Sequence, residues 1–158
     1  MGSILKRQQR TVGAIVRVPL ENGYRSYARI LEDELAFYDI YTQKEESEAY
    51  ILSCPILFIT MVFDDIITKG YWEKVSKAIP LEEKLQAENL PLMYRQDIIT
   101  KKFELVYLDR LEPATEEQCK GLEQWSVWTA EGIEHRLNEY FTKQKEKVVI
   151  EDMELVEG

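Results

Sequence analysis

A single histidine, His135, stands among 158 residues. Zinc centres and binuclear metal hydrolases draw on several imidazoles, so those chemistries lack their ligands here. His135 lies between Glu134 and Arg136, and the chain has no Gly-x-Ser-x-Gly elbow for it to serve. It therefore reads as a surface residue rather than a general base. Cysteine is scarce too: Cys54 and Cys119 are far apart in sequence, with no Cys-x-x-Cys. No disulfide framework follows, and two buried thiols in a reducing cytoplasm are expected. Long apolar runs are missing. The longest, Ile56 to Phe63, is strand-sized and too short to span a bilayer. Residues 1–10 carry basic side chains with no apolar segment behind them, so no secretory signal is expected. Lys6 stands where a myristoylation motif needs Ser or Thr. Basic residues are outnumbered 20 to 29 by acidic ones, leaving a formal net charge of -9. Such a field repels nucleic acid and anionic lipid and attracts cationic partners.

What is present fits one globular domain. Apolar residues make up 45% of the chain, enough for a core at this length. Val12, Ala14, Val16 and Val18 alternate along a strand ending at Leu20. Glu21-Asn22-Gly23 then gives a hairpin signal, because Asn-Gly tolerates positive φ. Strands over Tyr24–Leu31 and Leu35–Tyr41, joined by the polar turn Glu32-Asp33-Glu34, complete an antiparallel meander. Thr42–Glu48 reads as a loop or helical turn, and Ile56–Phe63, apolar on both faces, as a central strand. Tyr71–Val75 follows as an extended piece and Pro80–Glu88 as a short helix. Met93–Gln96 and Phe103–Leu108 are expected as two further strands. Thr115 and Gln118 form a capping box for a helix reaching about Trp125. Thr129 caps a second helix, on which Ile133, Leu137, Tyr140 and Phe141 form one apolar stripe. Residues 1–142 are thus expected to form one α+β domain: a curved, barrel-like antiparallel sheet of about five to seven strands with two C-terminal helices packed on it. Residues 143–158 are expected as a charged tail, mobile or added as an edge strand through Val148-Val149-Ile150.

No reactive cluster emerges. Asp64-Asp65 with Glu82-Glu83-Lys84 loosely matches a metal-dependent nuclease pattern, but the global charge opposes phosphate. No Asp-x-Asp-x-Asp-Gly loop offers a calcium or magnesium site. No catalytic residue, metal or cofactor is assigned. The aromatic residues allow two readings. Tyr27 shares a strand face with Arg25, Arg29 and Leu31, while Trp72 follows a Gly-Tyr pair. Such residues pack cores, and they also dominate binding hot spots.

Gly13-Ala14-Ile15-Val16-Arg17-Val18-Pro19-Leu20, Asn22-Gly23-Tyr24, Tyr27-Ala28-Arg29-Ile30-Leu31 and Ala36-Phe37-Tyr38-Asp39 together resemble the opening of the immunity protein 26 family. Pro55-Ile56-Leu57-Phe58, Gly70-Tyr71-Trp72, the stretch from Pro113 to Glu123, Val127-Trp128 and Ile133–Leu137 extend that resemblance over residues 12–141. One departure is Ala28, where the pattern wants Gly. The resemblance implies a cytoplasmic bacterial protein of a polymorphic toxin system. It would bind a cognate toxin, such as a cationic nuclease, and occlude its active site. On that reading Asp64, Asp65, Tyr71 and Trp72, with Tyr27 and Arg29, are the expected partner-binding residues. Asp65 and Trp72 are expected to be replaceable without loss of the fold. The same grouping is associated with an organophosphate-hydrolysing esterase, which implies the rival reading of a phosphate- or carboxylic-ester hydrolase.

Overall fold

The computed structural model describes residues 5–157, with side chains as far as residue 144. The meander forms as the alternation requires: β1 (Ile15–Pro19), β2 (Arg25–Ile30), β3 (Leu35–Tyr38) and β4 (Ile56–Val62) pair antiparallel in sequence order. Asn22, at φ 59, makes the first reversal within a 3-10 turn over Glu21–Gly23. Between β3 and β4 lies α1 (Glu48–Ser53), which the sequence reading left out; the Ser47 side chain caps it by accepting from the Tyr50 amide. After β4 come the single turn α2 (Asp65–Thr68) and an extended strap over residues 71–82. The expected helix at Pro80–Glu88 is reduced to two 3-10 turns, Glu83–Leu85 and Ala87–Asn89.

A second sheet was not anticipated. β5 (Met93–Gln96), β6 (Phe103–Val106) and β7 (Leu111–Ala114) form an antiparallel meander of their own. The capping box at Thr115 is present, but its helix, α3 (Glu116–Cys119), stops after one turn. Gly121, at φ 82, redirects the chain. The expected helical residues beyond it become β8 (Glu123–Gln124), parallel to β5, and β9 (Val127–Trp128), parallel to β4. The strand orders are β1-β2-β3-β4-β9, a curled half-barrel, and β7-β6-β5-β8. Helix α4 (Ala130–Glu157) closes the chain. Its backbone carries residues 143–157 as helix, not as an edge strand.

Each face of the first sheet carries a core, and the β4 end of one face is left open. Ala14, Val16, Val18, Ala28, Ile30 and Phe37 meet Ile133, Leu137 and Phe141 of α4 in one core. Each Val, Ile, Leu or Phe among them, fully buried, contributes about 1.5–3 kcal/mol. Tyr140, placed on the same stripe from sequence, sits at its edge and is exposed. Tyr24, Tyr41 and Phe141 stack in series, with centroids 3.9 and 4.9 Å apart. On the opposite face Ile15, Tyr27, Tyr38 and Ile40 pack on Ile51 of α1. Beside them, Leu31 and Ala36 pack on Leu85.

The strap is held by an interior cation. Arg29 is fully buried, and its Nε donates to the Gly13 carbonyl at 2.6 Å. Nη2 donates to the carbonyls of Ile79 and Pro80 at 2.9 and 3.1 Å. Nη1 reaches the Tyr38 hydroxyl at 3.4 Å and Glu82 Oε1 at 3.3 Å. Gly13, at φ 92, leaves room for this crossing, since a Cβ there would collide with the Ile79 carbonyl oxygen.

Candidate functional site

The six residues expected to bind a partner separate into two groups. Three are interior. Tyr27 lies in the α1-side core, with its hydroxyl accepting from the Glu46 amide at 3.3 Å. Arg29 is the strap clamp just described. Trp72 is fully buried, edge-on to Phe37 with centroids 5.9 Å apart, and its Nε1 donates to Glu134 at 2.9 Å. None of the three presents a surface to a partner, and Trp72 is part of the core rather than dispensable to it. The other three are exposed. Tyr71 points outward, Asp65 pairs with Lys69 one helical turn on at 3.6 Å, and Asp64 meets Arg10 Nε at 3.5 Å.

Of these, Asp64 alone lines the large concavity of the molecule, a cleft of about 820 Å³ between the two sheets. Its floor is apolar. Ile59, Met61 and Phe63 come from β4 and its end, Leu90, Leu92 and Met93 from the approach to β5, and Trp125 and Val127 from the β8–β9 crossing. Ile59 borders the Leu31–Ala36–Leu85 cluster together with Leu81 and Leu90, and Met61 and Phe63 lie beyond that cluster. Its rim is acidic. The β2–β3 turn supplies Glu32, Asp33 and Glu34, and other loops supply Asp64, Glu88 and Asp109. Six carboxylates thus surround a floor to which Arg10 is the only cationic contributor among the described residues.

Arg10 is largely spent on structure. Its Nη1 donates to the carbonyls of Leu31 and Glu32 at 2.9 and 3.0 Å, and Nη2 to that of Glu34 at 3.2 Å. It pins the β2–β3 turn beside the end of β4. Glu34 is half-buried, and burial pushes its carboxyl above the usual carboxylate range, with repulsion from Asp33 adding to the rise. The Arg10 charge offsets part of this. The far wall is anchored by Arg136, bidentate to Glu123 at 2.8 and 2.9 Å and lying 3.5 Å over the Phe58 ring.

Glu32-Asp33-Glu34, expected as a polar turn, is also one side of the rim, and Trp125, expected on a helix, lies in the β8–β9 crossing. The signals that could have shown the cleft were the acidic triplet itself and Gly121, a helix stop. Of the cysteines, Cys119 is buried and Cys54 partly so, and both are free thiols. Among the described residues no cluster of His, Cys, Asp and Glu is arranged to hold a metal, and no helix is long and apolar enough to cross a membrane.

The class these features define is a small α+β protein with a curled sheet, a second sheet beside it and an acid-rimmed cleft between the two. The chain belongs to the family described as Immunity protein 26, whose family model matches residues 11–105. The match takes in β1 to β5 and all but the last residue of β6, and leaves β7, the β8–β9 crossing and α4 beyond it. Neither the curated proteins nor the solved structures contain a match to the chain. Family membership implies a toxin as cognate partner.

Proposed function

We propose that the protein neutralises a cognate toxin of a polymorphic toxin system, in the cytoplasm of the producing cell, by receiving a cationic segment of that toxin in the cleft and occluding its active site. The observation that carries this reading is the pairing of an apolar floor with a rim of six carboxylates. The floor offers pockets for aliphatic or aromatic anchors, which hold a complex through slow dissociation. The rim draws in a positively charged partner and sets its orientation. A nuclease, cationic where it grips phosphate, has the complementary charge. Asp64 is retained as a contact from the sequence-based set. Asp65, next to it in sequence, and Tyr71 are exposed and remain candidate contacts outside the cleft lining.

The test is binding of the toxin domain encoded beside this gene to wild type and to the double variant Asp33→Lys/Asp109→Lys, both positions being exposed rim sites. Association at low salt is expected to slow by about tenfold or more, with the melting temperature preserved. Unchanged association and full protection from the toxin would overturn the cleft as the binding site.

One observation favours a second reading. Glu34, half-buried with its carboxyl shifted upward beside Asp33, has the form of a general acid. The lining offers no Ser, Thr, Cys or His, so hydrolysis of phosphate or carboxylic esters would have to run on carboxylates. Turnover by purified protein, lost in Glu34→Gln, would support that reading; no turnover above the Glu34→Gln background would remove it.

A further inference from the structure

We propose that the tip of the β5–β6 hairpin, residues 97–102, docks into the cleft of a second copy of this chain. At the tip Ile98 and Ile99 are 84% and 91% exposed, the two most exposed large apolar side chains among the described residues. Turn positions ordinarily take Gly, Asn, Asp or Pro. Two isoleucines there gain nothing from their own fold. The tip is nonetheless held in one shape. The Asp97 carboxylate accepts from the amides of Ile99 and Thr100 at 2.9 and 2.8 Å, and the Asp97 amide donates to the Lys102 carbonyl at 2.9 Å. Lys101 and Lys102 follow directly, both exposed and neither in an ion pair with another of the described residues. The result is an ordered apolar point flanked by two ammonium groups.

The matching surface on this molecule is the cleft, apolar at its floor and ringed by carboxylates. The tip cannot reach its own cleft. Met93 and Val106, which line the cleft, are paired at the opposite end of the hairpin from Gln96 and Phe103, which carry the tip. Those ends are roughly 10 Å apart along extended, hydrogen-bonded strands. The occupant is therefore another molecule. Two copies each carrying a net charge of -9 repel at long range. The association is accordingly weak and belongs to high protein concentration. Where the cleft is also the toxin site, as proposed above, self-docking covers the floor until toxin displaces it; the association itself does not rest on that reading.

Sedimentation velocity of the purified protein without toxin, over a wide concentration range, is the test. Wild type is expected to show a sedimentation coefficient that rises with concentration. Lys101→Glu/Lys102→Glu, with a reversed tip, and Asp33→Lys/Asp109→Lys, with most of the rim charge removed, should each stay monomeric alone. Mixed in equal amounts they should associate again, because the unchanged lysine tip of the rim variant then meets the unchanged acidic rim of the tip variant. Ile98→Asp/Ile99→Asp should abolish association in all mixtures. Unshifted melting temperatures establish that these exposed substitutions leave the fold intact. A wild type monomeric throughout, variants that associate like wild type, or a mixture that stays monomeric would each overturn the proposal. So would wild type that pellets with phosphatidylserine vesicles while remaining monomeric, which would assign the tip to a membrane surface.

Discussion

Replacing Arg29 separates an interior clamp from a binding residue. The side chain is wholly buried, and three of its contacts are backbone carbonyls, at Gly13, Ile79 and Pro80. Arg29→Met keeps most of the volume and removes every donor. The Gly13 carbonyl retains one partner, the Ile79 amide at 3.2 Å, so it is not orphaned. The carbonyls of Ile79 and Pro80 lose their guanidinium partner under a strap that admits some water. Charge-assisted hydrogen bonds of this kind are worth about 1.5–3 kcal/mol each, and part is recovered by hydration. Glu82, with its side chain 45% exposed, rehydrates at little cost. The net loss is about 3 kcal/mol, at the lower edge of what breaking a buried ion pair costs. For a domain of this size that lowers the melting temperature by roughly 6–12 °C. Arg29→Lys keeps the charge but not the planar fork, and should cost less than Arg29→Met. Glu82→Gln should cost under about 1 kcal/mol. The assay is thermal unfolding followed by circular dichroism, with limited proteolysis reporting release of residues 71–82. The reasoning fails if Arg29→Met melts with wild type. It fails equally if Glu82→Gln is as damaging as Arg29→Met, since the ion pair rather than the carbonyls would then hold the strap.

Trp72→Phe removes the donor to Glu134 and leaves a half-buried carboxylate unpaired; a loss of about 1–3 kcal/mol by urea denaturation is expected. Gly13→Ala forces a Cβ against the Ile79 carbonyl at positive φ and should destabilise by about 1–3 kcal/mol, measured the same way; a neutral result would mean the strap can shift. Glu34 is raised above its ordinary value of 4.5, chiefly by burial, so between that value and its folded-state pKa the folded protein binds more protons than the unfolded chain. Wild type should therefore gain stability relative to Glu34→Gln as pH falls through the folded-state pKa towards 4.5, and lose it as pH rises again. Melting temperatures of the pair across that range read the difference, and a slope of opposite sign would refute the burial argument.

Strand faces were readable because burial imposes a period of two. Ala14, Val16 and Val18 fall on the α4 face, while Ile15 falls on the other. The Asn22-Gly23 reversal and both caps, at Thr115 and Thr129, carry their chemistry in the residues themselves. What could not be read depends on partners distant in sequence. Tyr27 and Arg29 alternate with inward residues as an exposed binding face would; α1 and the loop before it make Tyr27 interior, and the strap about fifty residues later does so for Arg29. The strands β8 and β9 have two residues each, too short to carry a period, and exist through pairing with Met93-Tyr94 and Met61-Val62. The cleft assembles carboxylates from separate loops, so no local spacing marks it. Of the six expected contacts Asp64 lines the cleft, where it directly follows the β4 residues of the floor, while Asp65 beside it does not.

The short crossing from β8 to β9 joins one sheet to the other, pairing Tyr94 with Gln124 and Val62 with Trp128. As the polypeptide leaves the ribosome, the first meander can close on near neighbours, yet its apolar surface stays bare until residues 123–141 emerge. Nascent protein is thus unable to present a finished cleft, and chaperones would meet it at its most adhesive moment. A complete cleft then depends on finished translation rather than on the early rapid pairing of the amino-terminal strands.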